Sequence, residues 1–422
     1  MGGLSARRIL FSLAAPVGAL LVALALSSVV LVISNINPSY TFARMVEYGT
    51  DPDSVVDILN RSTYYYLSAV AVAIGFRMNL FNIGVDGQYQ LAAMFAAAAG
   101  GSVLLSGLPG PLLTLVVFLV AVTVGAAWAG IAGVLKVTRG VSEVISTIML
   151  NAVAAGLLAY FVNEARLGVR EPGGNIVYTR TLPESSWIPS FPPFDFRHIT
   201  SPPEDSVIFV SRQGVYGMIV VAVLVGVGYW LLVNRTRFGF DLRAAGSNPT
   251  AAVASGVNVK RMVLVSMLIS GGIAGLVGLP LLLGETHRFS SDFPAGIGFI
   301  GIAIALLGRN NPIGIAVGAV LWSFLDRSGQ ILDLEGIPRE IVTIMQGVTV
   351  LAVVVAYEVV ARVSRRTEQS QVGRLLATDQ PVGPTEPVPV GAGAGTATPA
   401  ADGGTGSDTD RDGNRDSKGD RR

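Results

Sequence analysis

Cysteine is absent from the 422-residue chain, histidine occurs only as His198 and His287, and lysine only as Lys136, Lys260 and Lys418. Without cysteine there is no disulfide, no thiolate metal site and no cysteine nucleophile. Two histidines far apart, neither in an H-E-x-x-H setting, leave no histidine metal cluster to expect. None of the three lysines sits in a G-x-x-x-x-G-K-[ST] loop, so the chain does not hydrolyse ATP through a P-loop, and no G-x-S-x-G nucleophile elbow occurs. Charge is scarce as well, at 14% of residues against about 25% in a soluble domain. The net charge of +1 leaves no electrostatic footprint for nucleic acid.

Apolar residues fill the space instead: 51% of the chain is hydrophobic and the mean hydropathy is +0.56. They fall in long uncharged runs near 9–33, 63–76, 81–99, 111–135, 141–162, 214–233, 262–283, 295–308, 312–325 and 340–361. The expectation is an all-α polytopic transmembrane bundle of ten spans in the lipid bilayer. Several runs are shorter than the ~20 residues of a simple crossing, so some helices should be tilted, re-entrant or broken. The first run outlasts a signal-peptide core and lacks a cleavage site, and reads as a retained span.

Arginine and lysine sort the loops. Arg7 and Arg8, Lys136 and Arg139, the group from Arg235 to Arg261, Arg309, and Arg362 to Arg366 mark one side if ten spans alternate, and positive flanks belong to the cytoplasm. Both termini then lie in the cytoplasm, and loops 34–61, 163–213, 284–294 and 326–339 are exported. Loop 163–213, rich in proline, reads as an external cap or as a plain linker. The expected domains are a transmembrane body over 1–366 and a tail over 367–422, whose Gly, Pro, Ser, Asp and Arg cannot bury a core and which is expected to be disordered.

Two polar clusters interrupt the apolar text. In residues 75–97, Arg77, Asn79, Asn82, Asp86, Gln88 and Gln90 surround Gly84 and Gly87. Such groups are costly in a bilayer unless they face a cavity or a partner, so this is a discontinuous helix lining a pathway or a cytoplasmic turn in which Arg77 pairs with Asp86. In residues 234–262, Asn248 and Pro249 suit the N-cap and N1 positions of a short helix from about Thr250, ending near Gly256. It is either a docking helix or a loop helix.

Four stretches carry a resemblance: FRMNLFNIGVDGQ, GIAGVLKVTRGVSEVISTIMLN, GFDLRAAGSNPTAAVASGV, and GFIGIAIALLGRNNPIG with GIPREIVTIMQGV. In that order, from about Tyr64 to Ala361, they resemble permease subunits of bacterial ABC importers in the branched-chain amino acid and simple sugar superfamily, most closely the nucleoside type working with basic-membrane-protein lipoproteins. Asp86 stands where that family more often has Glu, and Ser142 where it has Asn. The resemblance implies a non-enzymatic, multi-pass transport subunit of the bacterial inner or plasma membrane, forming the path for a small polar solute such as a nucleoside. It also implies partners: an ABC ATPase that binds ATP and Mg, a second permease copy or sister permease, and an extracellular substrate-binding lipoprotein. The chain itself would hold no cofactor or metal.

In that frame Asn82, Asp86 and Gln88, with Glu143 and Asn151 on a separate helix, are the expected translocation-path residues. Glu143 and Asn151, eight residues apart, share a helix face. Segment 234–261 becomes the coupling segment, with Gly246 setting the turn and Asn248, Pro249, Ala251, Ala252 and Gly256 fitting the ATPase groove. The alternatives are a monosaccharide or branched-chain amino acid permease, or an ion-coupled secondary transporter using Asp86 and Glu143.

Overall fold

The computed structural model describes Gly18 and residues 21–190 and 214–378. Arg7, Arg8, the prolines from 192 to 203 and the tail from 379 fall outside the described residues, as do the expectations placed on them. The chain divides into two units, Met1–Arg366 and Thr367–Arg422. The first contains α1 (Leu21–Ile33), α2 (Pro38–Gly49), α3 (Pro52–Arg77), α4 (Val85–Gly100), α5 (Gly110–Arg139) and α6 (Glu143–Phe161). A short antiparallel hairpin follows, β1 (Gly168–Arg170) with β2 (Val177–Thr179). Then come α7 (Met218–Arg235), α8 (Arg237–Ser247), α9 (Pro249–Ala254), α10 (Val259–Leu276), α11 (Leu279–Leu281) with a π-turn over Leu282–Thr286, α12 (Ile297–Leu307) and α13 (Pro312–Leu334); α14 (Arg339–Thr378) begins in the first unit.

Where they are described, the apolar runs fall largely in helices, yet among the described residues fewer than ten helices are long enough for a simple crossing. Among the described residues five helices are long and apolar enough to cross a membrane: α5, α6, α7, the run Val259–Thr286, and Arg339–Ala356 within α14. The pair α1–α2, bent by 118°, would make six. The physical reasons are visible in the others. Helix α12 has only 11 residues and α4 only 16, while the first half of α3 carries Asp53, Asp57 and Arg61.

Helix α3 is the axis of the bundle. Its 26 residues span about 39 Å, and Leu67 and Ala69–Ala73 are fully buried, as expected of a helix apolar on every side. Helices α7, α10, α12 and α13 surround it. The closest helix pair, α5 with α10, is built on small residues: Gly125 faces Gly271 and Gly275, where an added methyl would meet the opposing backbone. This is the small-xxx-small packing that lets helix backbones approach in a membrane.

The bundle has two distinct ends. At one, the segments that the charge pattern grouped as exported lie together. Thr179 N–H donates to Phe289 O (2.8 Å), Leu182 N–H to His287 O (2.9 Å) and Ile188 N–H to Leu283 O (3.1 Å), while Trp187 stacks on His287 at 3.6 Å. Arg61 pairs with Asp57 (3.0 Å) and Asp326 (2.9 Å), and Arg339 also reaches Asp326 (3.2 Å). Residues 163–190 therefore form a cap over this end rather than a free linker. At the opposite end, Arg77 donates to Asn310 O (2.7 Å) and Lys136 pairs with Glu143.

Candidate functional site

The five expected path residues lie around the turn joining α3 to α4: Asn82 in the turn, Asp86 and Gln88 at the start of α4, and Glu143 and Asn151 on α6. Asn79 takes positive φ (56°) and the chain turns back toward α4. Asn82 and Gln88 exchange amide hydrogen bonds in both directions (3.0 and 2.9 Å), and Asn82 also donates to Ser270 Oγ on α10 (2.9 Å). Asn82 Oδ1 further accepts the Gly84 N–H (3.1 Å). Both amides are 1% exposed, so their hydrogen-bonding capacity is spent inside the protein, as burial demands.

Asn151 on α6 donates to Ile83 O and accepts from Gly87 N–H, both at 3.0 Å. Glu143, at the start of the same helix, accepts from Lys136 and from Phe81 N–H (3.4 Å). The eight-residue spacing does put both on one face, and that face grips segment 81–87. Asp86 Oδ1 accepts the N–H groups of Gly296 (2.8 Å) and Gly298 (3.2 Å) at the start of α12, and Oδ2 accepts from Gln90 (2.9 Å). A carboxylate at a helix N-terminus satisfies donors that have no partner within the helix. Arg77 does not pair with Asp86; it donates to Asn310 O and to the Tyr229 hydroxyl (3.3 Å).

The five residues thus tie α4, α5, α6, α10 and α12 around the turn that follows α3, and sequence reasoning missed their partner Ser270, since serine hydroxyls such as Ser266 and Ser270 in an apolar helix give little signal. A groove of about 530 Å³ between α3, α7 and α13, lined by residues such as Tyr66, Val223, Trp230 and Pro312, includes none of the five.

The second cluster folds as the cap signals predict, with two changes. Asn248 Oδ1 accepts the Ala251 N–H (3.1 Å), Pro249 is the first residue of α9, and Gly256 closes it at φ 85°. Gly246 does not set a turn. It lies inside α8 against the end of α3, where an added methyl would come within 2.5 Å of Arg77 O and 2.8 Å of Met78 Cα. The turn falls instead at Asn248, whose backbone is extended. Ala252 is buried at 3% exposure, while Ala251, Val253 and Ala254 are exposed. Among the described residues no group of three or more His, Asp or Glu side chains could hold a metal ion.

A helical bundle with several helices long and apolar enough to cross a membrane, broken helices among them and polar residues stapled in its interior is that of a multi-pass membrane protein. Residues 54–354 match the family of branched-chain amino acid transport system permease components, and the chain belongs to that family. It is 33% identical over 311 residues to the guanosine ABC transporter permease protein NupP of Bacillus subtilis (strain 168), covering 72% of this chain and 82% of that one. It is 30% identical over 338 residues to the glucose ABC transporter permease protein TsgB13 of Haloferax volcanii, covering 80% and 85%. With the nucleoside ABC transporter permease protein NupB of Lactococcus lactis subsp. cremoris it shares 29% over 292 residues, 69% and 76% of the two chains. No solved structure matches the chain significantly.

Proposed function

We propose that this permease carries nucleosides inward as the membrane subunit of an ABC importer, with no active site of its own. ATP and Mg are bound by a separate ATPase subunit at the arginine-rich end, which is cytoplasmic, as are both termini. A substrate-binding lipoprotein delivers the solute to the capped end, and a second permease copy or a sister chain completes the path. The observation that carries this reading is the seating of α8 on the end of α3. Gly246 rests on Arg77 and Met78, and α3 continues without interruption to the capped end. A push on α8–α9 would therefore reach the exported mouth along one rigid helix, the rocking that alternating access requires.

A monosaccharide permease is the second reading, favoured by the 30% identity to a glucose permease. The decisive experiment measures ATP hydrolysis by the complex in nanodiscs with its ATPase and binding protein, over nucleosides, glucose and branched-chain amino acids. Stimulation by nucleosides is the expected result. Stimulation by glucose alone would move the assignment to sugars, and a chain that associates with no ATPase would remove the importer reading.

A further inference from the structure

The groove between α3, α7 and α13 lies apart from the expected path residues and has the form of a slot. Its floor is small and buried, with Ala222 and Gly226 on α7 and Ala319 on α13. Its walls are β-branched and exposed, Val223 at 59% and Ile313 at 76%. A second transmembrane helix, about 10 Å across, would be held off by such walls, since close helix approach in a membrane needs small residues at the contact. One flexible acyl chain passes between them and reaches the floor. The volume of about 530 Å³ lies within the range of small-molecule sites.

On α7 the slot runs from Ile219 to Trp230, a rise of about 16 Å, close to one leaflet of a hydrocarbon core about 30 Å thick. Toward the arginine-rich end of the bundle it ends beside a cation. The exposed Arg235 holds its guanidinium over the Trp230 ring, 5.2 Å from the centroid, and pairs with no carboxylate among the described residues. Tryptophan marks the level of the lipid headgroups, and a basic side chain at the mouth of a crevice between helices draws an anionic headgroup. Slot and cation meet at Trp230, as the chain and phosphate of a lipid meet at its glycerol.

We propose that this slot holds one acyl chain of an anionic phospholipid, taken from the leaflet at the arginine-rich end, with its phosphate on Arg235. Two attractions then add: dispersion contact of the chain with the small-residue floor, and the charge of the headgroup. A phosphatidylcholine offers the same chain and the same phosphate, but its choline cation opposes Arg235. The headgroup therefore discriminates between lipids while the chain does not. The site belongs to the bilayer rather than to the solute, so it stands whichever solute the path carries.

The test is native mass spectrometry of the purified full chain in detergent, titrated with dioleoyl phosphatidylglycerol or dioleoyl phosphatidylcholine. Wild type should retain one phosphatidylglycerol per chain and hold phosphatidylcholine more weakly. Arg235→Gln, at an exposed helix end, should lower the ratio of the two affinities about fivefold, the weight of one basic residue beside an anionic lipid. Ala316→Phe, which sends a ring into the slot from an exposed position, should weaken both lipids alike. Equal retention of the two lipids by wild type, or a ratio unmoved by Arg235→Gln, would overturn the site whether or not Ala316→Phe folds. Retention of phosphatidylglycerol undiminished in a folded Ala316→Phe would place the lipid elsewhere and overturn it as well. A second copy of the chain held in place of lipid, and lost in Ala316→Phe, would assign the slot to a contact between copies instead.

Discussion

Asn82 shows how a polar side chain inside a membrane bundle is tolerated: each of its amide atoms is matched by Gln88, Ser270 or a backbone N–H. Asn82→Ala leaves Gln88 and the Gly84 N–H without partners, and a buried unsatisfied group costs about 1–3 kcal/mol. The purified protein should therefore melt at lower temperature, with activity at permissive temperature largely kept. An unchanged melt with lost transport would instead return Asn82 to the path. Asp86→Ala should act in the same direction, since it strips the N–H groups of Gly296 and Gly298 of their acceptor. Sequence reasoning found these residues because polar groups stand out in apolar text. It missed their partners Ser270 and Gly296, which lie about two hundred positions away, because nothing local announces the pairing.

At the level of the helix, the cap of α9 was the most readable feature. Asn-Pro is a cap signature with a local cause, one side-chain oxygen and one missing N–H, so α9 was placed to within a residue or two. Gly246 was misread for the opposite reason: its requirement is set by the backbone of Arg77 and Met78, which sequence cannot place. Gly246→Ala should force α8 away from α3. The expected outcome is intact membrane insertion, retained basal ATP hydrolysis, and uptake reduced at least tenfold; normal uptake would show that the contact transmits nothing. Asn248→Ala, by contrast, removes only a cap worth about 1 kcal/mol from an exposed helix, and should lower uptake mildly without changing assembly.

Across the bundle, the two ends differ in what holds them, and pH separates them. His287 closes the π-turn at positive φ (53°), stacks on Trp187, and has a buried Nδ1 with no partner among the described residues. Burial lowers its pKa below 6.5. The folded cap thus binds a proton less readily than the opened one. Its full stability is present above pH 6.5 and declines as pH falls from there toward the lowered native value. The hydrogen-exchange protection factors of residues 177–188, corrected for the pH dependence of intrinsic exchange, should fall between pH 7.5 and 5.5 in wild type, and less so in His287→Phe, which keeps the stack without the proton. An equal fall in both would assign the effect to another group.

Composition and pattern alone were enough for the class of fold, the helical segments, the grouping of loops at the two ends and the cap of α9. These follow from transfer of apolar side chains into lipid, from the charge bias of loops and from single-residue backbone chemistry, all of which act over a few neighbouring positions. The number of simple spans, the pairing of Asn82 with Gln88 and the seat of Gly246 arose only in the packed chain. Each depends on which distant backbone stands within about 3 Å of a given atom, and hydrogen bonds and steric contacts are decided at that range.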